Sequence, residues 1–536
     1  MAVSAVNLDA LIPREDLAVG DGVTSGEQGD DKISIASIGG STFFTGPLRK
    51  PDFQRETIHW TPKKIADLVA SFLDRRLIPA VILWRAGNYN FVIDGAHRLS
   101  ALLAWVWDDY GDGDRSKALF GVPLSPEQIA IAQRTRKLIN KDIGPYALYK
   151  AALDHPQAVD DNIKVRVSNL SVVHIIAQWV PAATKEAAED SFFKINDSAT
   201  PLEPTERRIL QSRGSATAIA ARAIAHGGKG YRYWGAFGES VQTKIVDLAG
   251  EISDLLFKPP LASTGAIDTL DVPVAGRGYS YLPFAFDLIN SVNAVGAADS
   301  TKKVKLKEKL PLDPDGQLTA SYLKAVWGSL SRITGDKPTS LGLHPVVYFY
   351  TAGGNFLPWS FLAWATIVEE IFAEKRAIEF CGIRPALEDY LWANKWAVSE
   401  IVHKNGSGNR STPWLRRYFN FLLAEFTAGL DEDAIDEKIK EHTTWRFLSL
   451  KTPVFQLPGE ASTSKFSNTT KTATIWKAAY PGAPRCGVCG AIWHRNSIHF
   501  DHQTGKKDGG TANPANAQVT HPYCDSTYKD WKAAKN

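Results

Sequence analysis

The sequence predicts an α+β multidomain protein: an α/β N-terminal domain, a mostly helical middle domain and a small metal-stapled C-terminal module. Three observations predict it. Short β-branched apolar runs alternate with helical patterns from 51 to about 213, the signature of an α/β fold. Long helical stretches rich in Trp and Phe dominate from about 216 to 448. Three of the four cysteines, Cys486, Cys489 and Cys524, fall in one stretch near the end, which suggests metal binding rather than disulfides.

Residues 1 to 45 are Gly-rich and mixed in character. In the next region FVID at 91–94 and LIPAVILW at 77–84 read as short buried strands. IADLVASFLDRR reads as an amphipathic helix. After Asp94, Leu99, Leu102 and Leu103 recur at helical spacing, so GAHR lies at a strand-to-helix turn. SYLKAVWGSLSRI, SFLAWATIVEEIFAEKRAIEF and TPWLRRYFNFLLAEFTAGL read as helices of the middle domain, where Trp, Phe and the lone Cys381 are read as core. The stretch after 451 loses periodicity and fills with Ser, Thr and Pro, as linkers do. The expected boundaries are 1–215, 216–450, a linker at 451–480, and a final module at 481–536.

A length of 536 residues exceeds a single core, and 44% hydrophobic with 22% charged residues excludes a disordered chain. No apolar run approaches the roughly 20 residues that span a bilayer. The N-terminus lacks a basic segment followed by a long apolar one, and four cysteines are too few for a disulfide framework. A cytoplasmic protein without membrane partners is therefore expected. From Lys451 onward, 11 Lys and Arg stand against 5 Asp and Glu, whereas the rest of the chain holds 50 against 53. A basic tail on a near-neutral body suits a polyanion, or is a solvated surface.

In that tail Cys486 and Cys489 form a C-x2-C pair, and His521 and Cys524 an H-x2-C pair. Together they offer the four soft donors of tetrahedral Zn2+, and so small a module needs such a staple. A purely structural zinc ribbon has the same spacing. Between the pairs, Asp501 and His502 follow the strand-like IHF, so their side chains point to opposite faces. Gly509 and Gly510 permit a tight turn, Asn516 follows in a polar loop, and Asp525 and Lys529 stand at i, i+4. Carboxylates suit Mg2+ or Mn2+, and a neutral imidazole suits a general base. His494 is read as a surface or hydrogen-bonding residue, His499 as a candidate phosphate contact.

This stretch resembles the HNH (ββα-metal) nucleases in their zinc-bound form: C-x2-C, Asp/His-His, a Gly pair, Asn, then C-x2-C-N-x3-K. The resemblance implies Asp501 and Asp525 as ligands of the catalytic metal, His502 as general base and Asn516 as a loop brace. Two positions depart from the pattern: His521 replaces a zinc cysteine, and Asp525 stands where Asn or His is usual.

Near the N-terminus, no G-x-x-x-x-G-K-[ST] motif supports a P-loop. Gly95 after Asp94, with His97 and Arg98 opening a helix, offers a phosphate cradle, or else an ordinary β-turn-α with a surface arginine. PDFQR at 51–55, DGAHR at 94–98 and FFKINDSATPLEPTE at 192–206 together resemble the ParB/sulfiredoxin-like domain of GmrSD-type modification-dependent restriction enzymes. That resemblance implies a nucleotide site at Gln54, Arg55, Asp94, Gly95, His97 and Arg98, with Asn196 nearby. Ala96 and His97 replace two customary glutamines.

The whole resembles GmrSD- and SspE-type phage-defence proteins. Expected on that basis is a nucleotide-regulated DNA endonuclease sensing modified or phage DNA. Expected cofactors are structural Zn2+, catalytic Mg2+ or Mn2+, and GTP or ATP; expected partners are DNA, a nucleoside triphosphate and a second copy of the chain. An unregulated HNH nuclease, or a DNA-binding adaptor with a structural zinc module, remain the alternatives.

Overall fold

The computed structural model describes residues 5–16, 29–39, 42–54, 56–181, 184–198, 204–261, 265–276, 281–295, 310–406, 410–448, 450 and 465–535. The chain forms two compact units, Met1–Arg213 with Lys229–Arg232, and Gly214–Gly228 with Tyr233–Asn536.

The first unit is built on a six-stranded mixed sheet. Its strands are β1 (Arg14–Glu15), β2 (Lys32–Ser34), β3 (Leu48–Pro51), β4 (Val81–Ala86), β5 (Tyr89–Asp94) and β6 (His174–Trp179), in the order β1-β3-β5-β4-β6-β2. β4 and β5 form a hairpin, turned in two residues with Gly87 at φ +56°. Side chains alternate across the sheet. Val81, Leu83 and Val92 enter the larger core with the helices Pro62–Leu73, Ala96–Trp107 and Pro126–Asp142. Trp84, Ala86, Phe91 and Ile93 enter a second core with Phe53 and Phe192. Covered on both faces, β5 has no polar side to show, which is why FVI reads as a continuous apolar run.

The expected strand at 77–84 begins only at Val81, and the expected helix at Pro62, where Thr61 caps Lys64 N at 3.2 Å. The N-terminal stretch, in which composition showed no element, contributes β1 and buries Val6, Leu8, Leu11 and Ile12 in the larger core. A charged knot fixes it there. Asp9 Oδ1 accepts from Lys50 Nζ at 2.5 Å, from Arg14 Nη2 at 3.1 Å and from Thr57 N at 3.0 Å. Burial raises the Asp9 pKa, but the Lys50 and Arg14 charges outweigh it and hold the carboxyl well below its usual range. Burial pushes Lys50 down to about 8 against the pull of Asp9.

The second unit is mainly helical. Ala216–Ala225 (ATAIAARAIA) is apolar nearly all round and is correspondingly buried, with Glu239–Phe257, Tyr281–Val292 and Gln317–Ile333 packed around it. The stretch SFLAWATIVEEIFAEKRAIEF forms two helices, Pro358–Ala373 and Ala377–Ala393, separated by Lys375 at φ +59°. Residues 451–464 of the expected linker lie outside the described residues. Its final part is the helix Asn468–Ala479, whose buried Trp476 donates to Thr269 O at 2.9 Å.

The C-terminal stretch is built into this second unit. The side chains of Arg384 and Glu388 on Ala377–Ala393 are fully buried and paired at 2.6 Å, and Glu388 Oε2 accepts from Ile492 N at 2.9 Å. Tyr480 stacks on Trp392 at 4.0 Å, and Arg485 pairs with Asp389 at 2.8 Å. His494, expected as a surface or hydrogen-bonding residue, is fully buried: its Nδ1 accepts from Asn496 N at 3.4 Å and its ring lies 5.3 Å from that of His344. Burial lowers His494 to about 4, against the pull of Asp271, and holds His344 well below its ordinary value.

Two predictions follow from this packing. Lys50→Met leaves Asp9 without its closest counter-charge in a buried place. It should cost about 3–5 kcal/mol, seen in full-length protein as faster hydrogen exchange across β3 and β5 and unchanged exchange in the second unit. Unfolded histidines take up protons near 6.5, whereas folded His494 does so only near 4. The second unit should therefore be most stable above pH 6.5 and lose stability progressively between 6.5 and 4. Urea titrations across that range should show the slope reduced in His494→Gln.

Candidate functional sites

In the first unit the three separated motifs converge. Asp94 ends β5, and Gly95 at φ +93° turns the chain into Ala96–Trp107. A Cβ on Gly95 would lie 2.6 Å from Val81 Cγ1, so the turn requires glycine here. Arg98 Nη2 donates to Asp94 Oδ2 at 2.6 Å and to Ala80 O at 2.9 Å. The guanidinium is thus anchored at one end rather than standing free at the surface, while its Nε is buried with no hydrogen-bond partner among the described residues. Gln54 Nε2 donates to Ile93 O at 3.4 Å, which sets the PDFQ loop against the end of β5; Gln54 Oε1 is buried and unbonded among the described residues. Arg213 binds Asp52 at 2.8 Å and Glu189 at 2.9 Å, tying the same loop to Lys185–Ser198. Phe53 packs on Phe192 at 5.2 Å. The His97 ring lies 5.7 Å from Trp60 and 5.9 Å from His59. Arg55 lies outside the described residues, as does the side chain of Asn196.

In the second unit, β7 (His499–His502) pairs antiparallel with β8 (Ala517–Thr520), and a π-turn at Cys524–Tyr528 leads into the helix Lys529–Lys535. The ligand atoms of Cys486, Cys489, His521 and Cys524 all lie within 4.8 Å of one another. His521 turns Nδ1 toward the sulfurs, 3.4 Å from Cys489 Sγ and 3.9 Å from Cys524 Sγ. Its Nε2 is 3.2 Å from Ile492 O, the outer contact that orients a metal-binding imidazole. Hydrogen bonds from Cys489 and Cys524 hold the Cys486 thiol well below its usual pKa, while Cys489 is raised by its contact with Cys486. The Cys3His set can hold a metal ion and is compatible with structural zinc.

Beside it, Lys529 Nζ bridges two carboxylates, 2.8 Å from Asp501 Oδ1 and 2.6 Å from Asp525 Oδ1. Asp501 Oδ2 also accepts from Gln518 Nε2 at 3.2 Å, across the β7–β8 pair. Burial raises the Asp525 pKa, but Lys529 and His499 together lower it. His502 is partly buried, and its backbone N donates to Asp501 Oδ1 at 2.8 Å. Asn516 accepts from Thr504 N at 2.7 Å and donates to Thr504 O and Thr511 O at 3.1 and 2.9 Å, closing the loop between the strands. A Cβ on Gly510 would overlap Thr504 O at 1.8 Å, so that loop closes only around glycine. Gln518 was not legible as a partner of Asp501, because strand register is not written in local pattern.

Residues 39–213 match the family model described as GmrSD restriction endonuclease, N-terminal domain. The match ends where the first unit's main segment ends, and it supports a GmrSD-type restriction protein. No curated protein and no solved structure matches the chain. Among the described residues, no helix is long and apolar enough to cross a membrane.

Cys489→Ser removes one of the four donors and should abolish metal binding at this cluster. Elemental analysis should find about one zinc per wild-type chain and far less in the variant, with faster hydrogen exchange at 486–492 and 517–524 because binding and folding are linked there. Wild-type protein free of zinc would show the cluster to be no zinc site.

Proposed function

We propose that this protein is a restriction endonuclease of phage defence that cuts DNA with its C-terminal module and binds a nucleoside triphosphate at the Asp94–Arg98 turn. The observation that carries the first part is the Cys3His cluster beside Asp501, His502 and Asp525 on one ββα element, in the HNH order. His502 is the general base: it stands on the strand face opposite Asp501 and takes a proton from the attacking water. Asp501 and Asp525 would hold a Mg2+ or Mn2+ ion, for which their hard oxygens fit; both already gather around one ammonium. When bound, that ion supplies charge stabilisation at the scissile phosphate. Asn516 keeps the loop between the strands closed. Lys529, drawn to both carboxylates, is placed to meet the phosphate once they turn to a metal.

For the N-terminal turn, the support is the meeting of Gln54, Asp94, Gly95 and Arg98 within a domain that matches the GmrSD family model. A helix N-terminus and a guanidinium there favour an anion. Arg98 would hold a phosphate and Asp94 a cation, each in place of the other. Sensing of DNA modification and control of cutting by the nucleotide complete the reading.

His502→Ala should keep zinc and DNA binding yet reduce plasmid cleavage by ~100-fold or more; near-normal cleavage would move the active site elsewhere. Arg98→Ala should abolish binding of a fluorescent GTP or ATP analogue. If the variant binds nucleotide as wild type does, the turn is not the nucleotide site.

A further inference from the structure

We infer that His499 is a positioning residue for the Asp525 carboxylate, anchored in turn by the scaffold loop that follows the helix Gln317–Ile333. The inference rests on the reading of Asp501 and Asp525 as the divalent-ion pair. His499 opens β7 with its Nδ1 3.1 Å from Asp525 Oδ2 and its Nε2 2.9 Å from the backbone carbonyl of Asp336. Both ring nitrogens therefore face oxygen acceptors, one at each end of the ring. So engaged, the imidazole has no nitrogen left for a phosphate, the role its sequence neighbourhood suggested.

The other oxygen of Asp525 faces Lys529 at 2.6 Å. His499 and Lys529 thus take one carboxylate oxygen each, and the plane of the group is set by two contacts from different directions. Lys529 is one helical turn away from Asp525 and moves with it; His499 comes from the strand and is tied to the scaffold. Three further bonds hold that scaffold loop to the C-terminal module. Gly335 N donates to Ser497 Oγ at 2.8 Å, Ser526 Oγ donates to Pro338 O at 2.8 Å, and Tyr523 N donates to Ser340 O at 3.0 Å. The carbonyl of Asp336 is therefore fixed relative to β7 and to the turn that carries Asp525.

The chemistry explains why such a device belongs at this position. The HNH pattern has Asn or His where this chain has Asp525. An asparagine presents one oxygen, whereas a carboxylate presents two and swings readily into a double contact with a neighbouring ammonium. By occupying Oδ2, His499 keeps Asp525 from closing on Lys529 with both oxygens and leaves Oδ1 to the ammonium that Asp501 Oδ1 also meets. Partners of this kind, one shell out from a metal, orient the ligand without touching the ion.

The test is Mn2+ binding by full-length zinc-loaded protein without DNA, read from the electron paramagnetic resonance signal of free Mn2+. His499→Phe keeps a ring but removes both ring nitrogens; His499→Gln keeps a donor. His499→Phe should weaken Mn2+ binding about 10- to 100-fold with zinc content unchanged, and His499→Gln should recover most of it. In an Asp525→Asn background, His499→Phe should have little further effect, because the two residues act as one. If Asp501→Ala loses Mn2+ while His499→Phe binds it as wild type does, His499 positions nothing. An equal loss from His499→Phe in both backgrounds overturns the proposal as well, since the effect then bypasses Asp525. If Asp501→Ala and wild type bind Mn2+ alike, the ion-pair reading itself fails and takes this inference with it.

Discussion

The second unit depends on one buried ion pair, Arg384 with Glu388. Glu388 Oε1 accepts from Arg384 and from Tyr348 Oη at 3.0 Å, while Oε2 accepts from Ile492 N, next to the Cys486–Cys489 knuckle. Arg384 meanwhile donates to the carbonyls of Leu341 and Gly342. A Cβ on Gly342 would lie 2.7 Å from His521 Cδ2, so this loop passes directly against the metal cluster. A buried pair is weak evidence of net stability, because desolvation offsets the attraction. Its importance here is geometric: every oxygen and most N–H groups of the pair are assigned, the contacts with Tyr348, Leu341 and Gly342 tie the scaffold together, and Glu388 Oε2 joins it to the C-terminal module at Ile492 N. Its charge matters too. Three thiolates and an imidazole around a divalent ion would carry a net negative charge, and the Arg384 guanidinium lies close enough to Cys489 for the two to stabilise one another.

This arrangement changes how the C-terminal module works. A small zinc-stapled unit on a polar tether would position its acidic pair with its own few residues. Here the helix Asn468–Ala479, the Trp392–Tyr480 stack and the 334–340 loop brace it from outside. A site braced by packed helices loses less precision to thermal motion than one on a free loop. In the first unit the sheet plays the corresponding part. Phe53 and Phe192 meet in the smaller core, and Arg213 joins Asp52 to Glu189, so motifs more than a hundred residues apart in sequence reach one end of β5.

Much of the site chemistry is legible in the sequence because it is local. Paired ligand spacing, the Asp501–His502 step on a strand, the glycines that allow turns and the i, i+4 placement of Asp525 and Lys529 all follow from backbone geometry over a few residues. The β5-turn-helix at Gly95 is legible for the same reason. Less legible are elements whose character depends on what covers them. The segment at 5–16 carries Val6, Leu8 and Ile12 at alternate-residue spacing, but the run is short and ends in charged residues, and it is held in the core by the knot of Asp9, Lys50 and Arg14. Asn468–Ala479 looks like linker because its polar Thr and Lys dominate, and only Trp476 and Ala473 with Thr472 are buried.

By itself, then, the sequence determined a mixture of α and β elements, a Cys3His donor set that can hold a metal ion, and the local spacing of Asp501, Asp525 and Lys529 and of the Asp94 turn. Each is a matter of residue type and spacing along one or two elements. Only the tertiary structure decided that His499 faces Asp525 and Asp336, that Gln518 lies across from Asp501, that Arg98 reaches the carbonyl of Ala80, and that the C-terminal module is built into the helical unit. Those outcomes turn on strand register and on side chains meeting across distant segments, and the free energy that selects them is spread over burial, desolvation and hydrogen bonds that no single stretch of the chain contains.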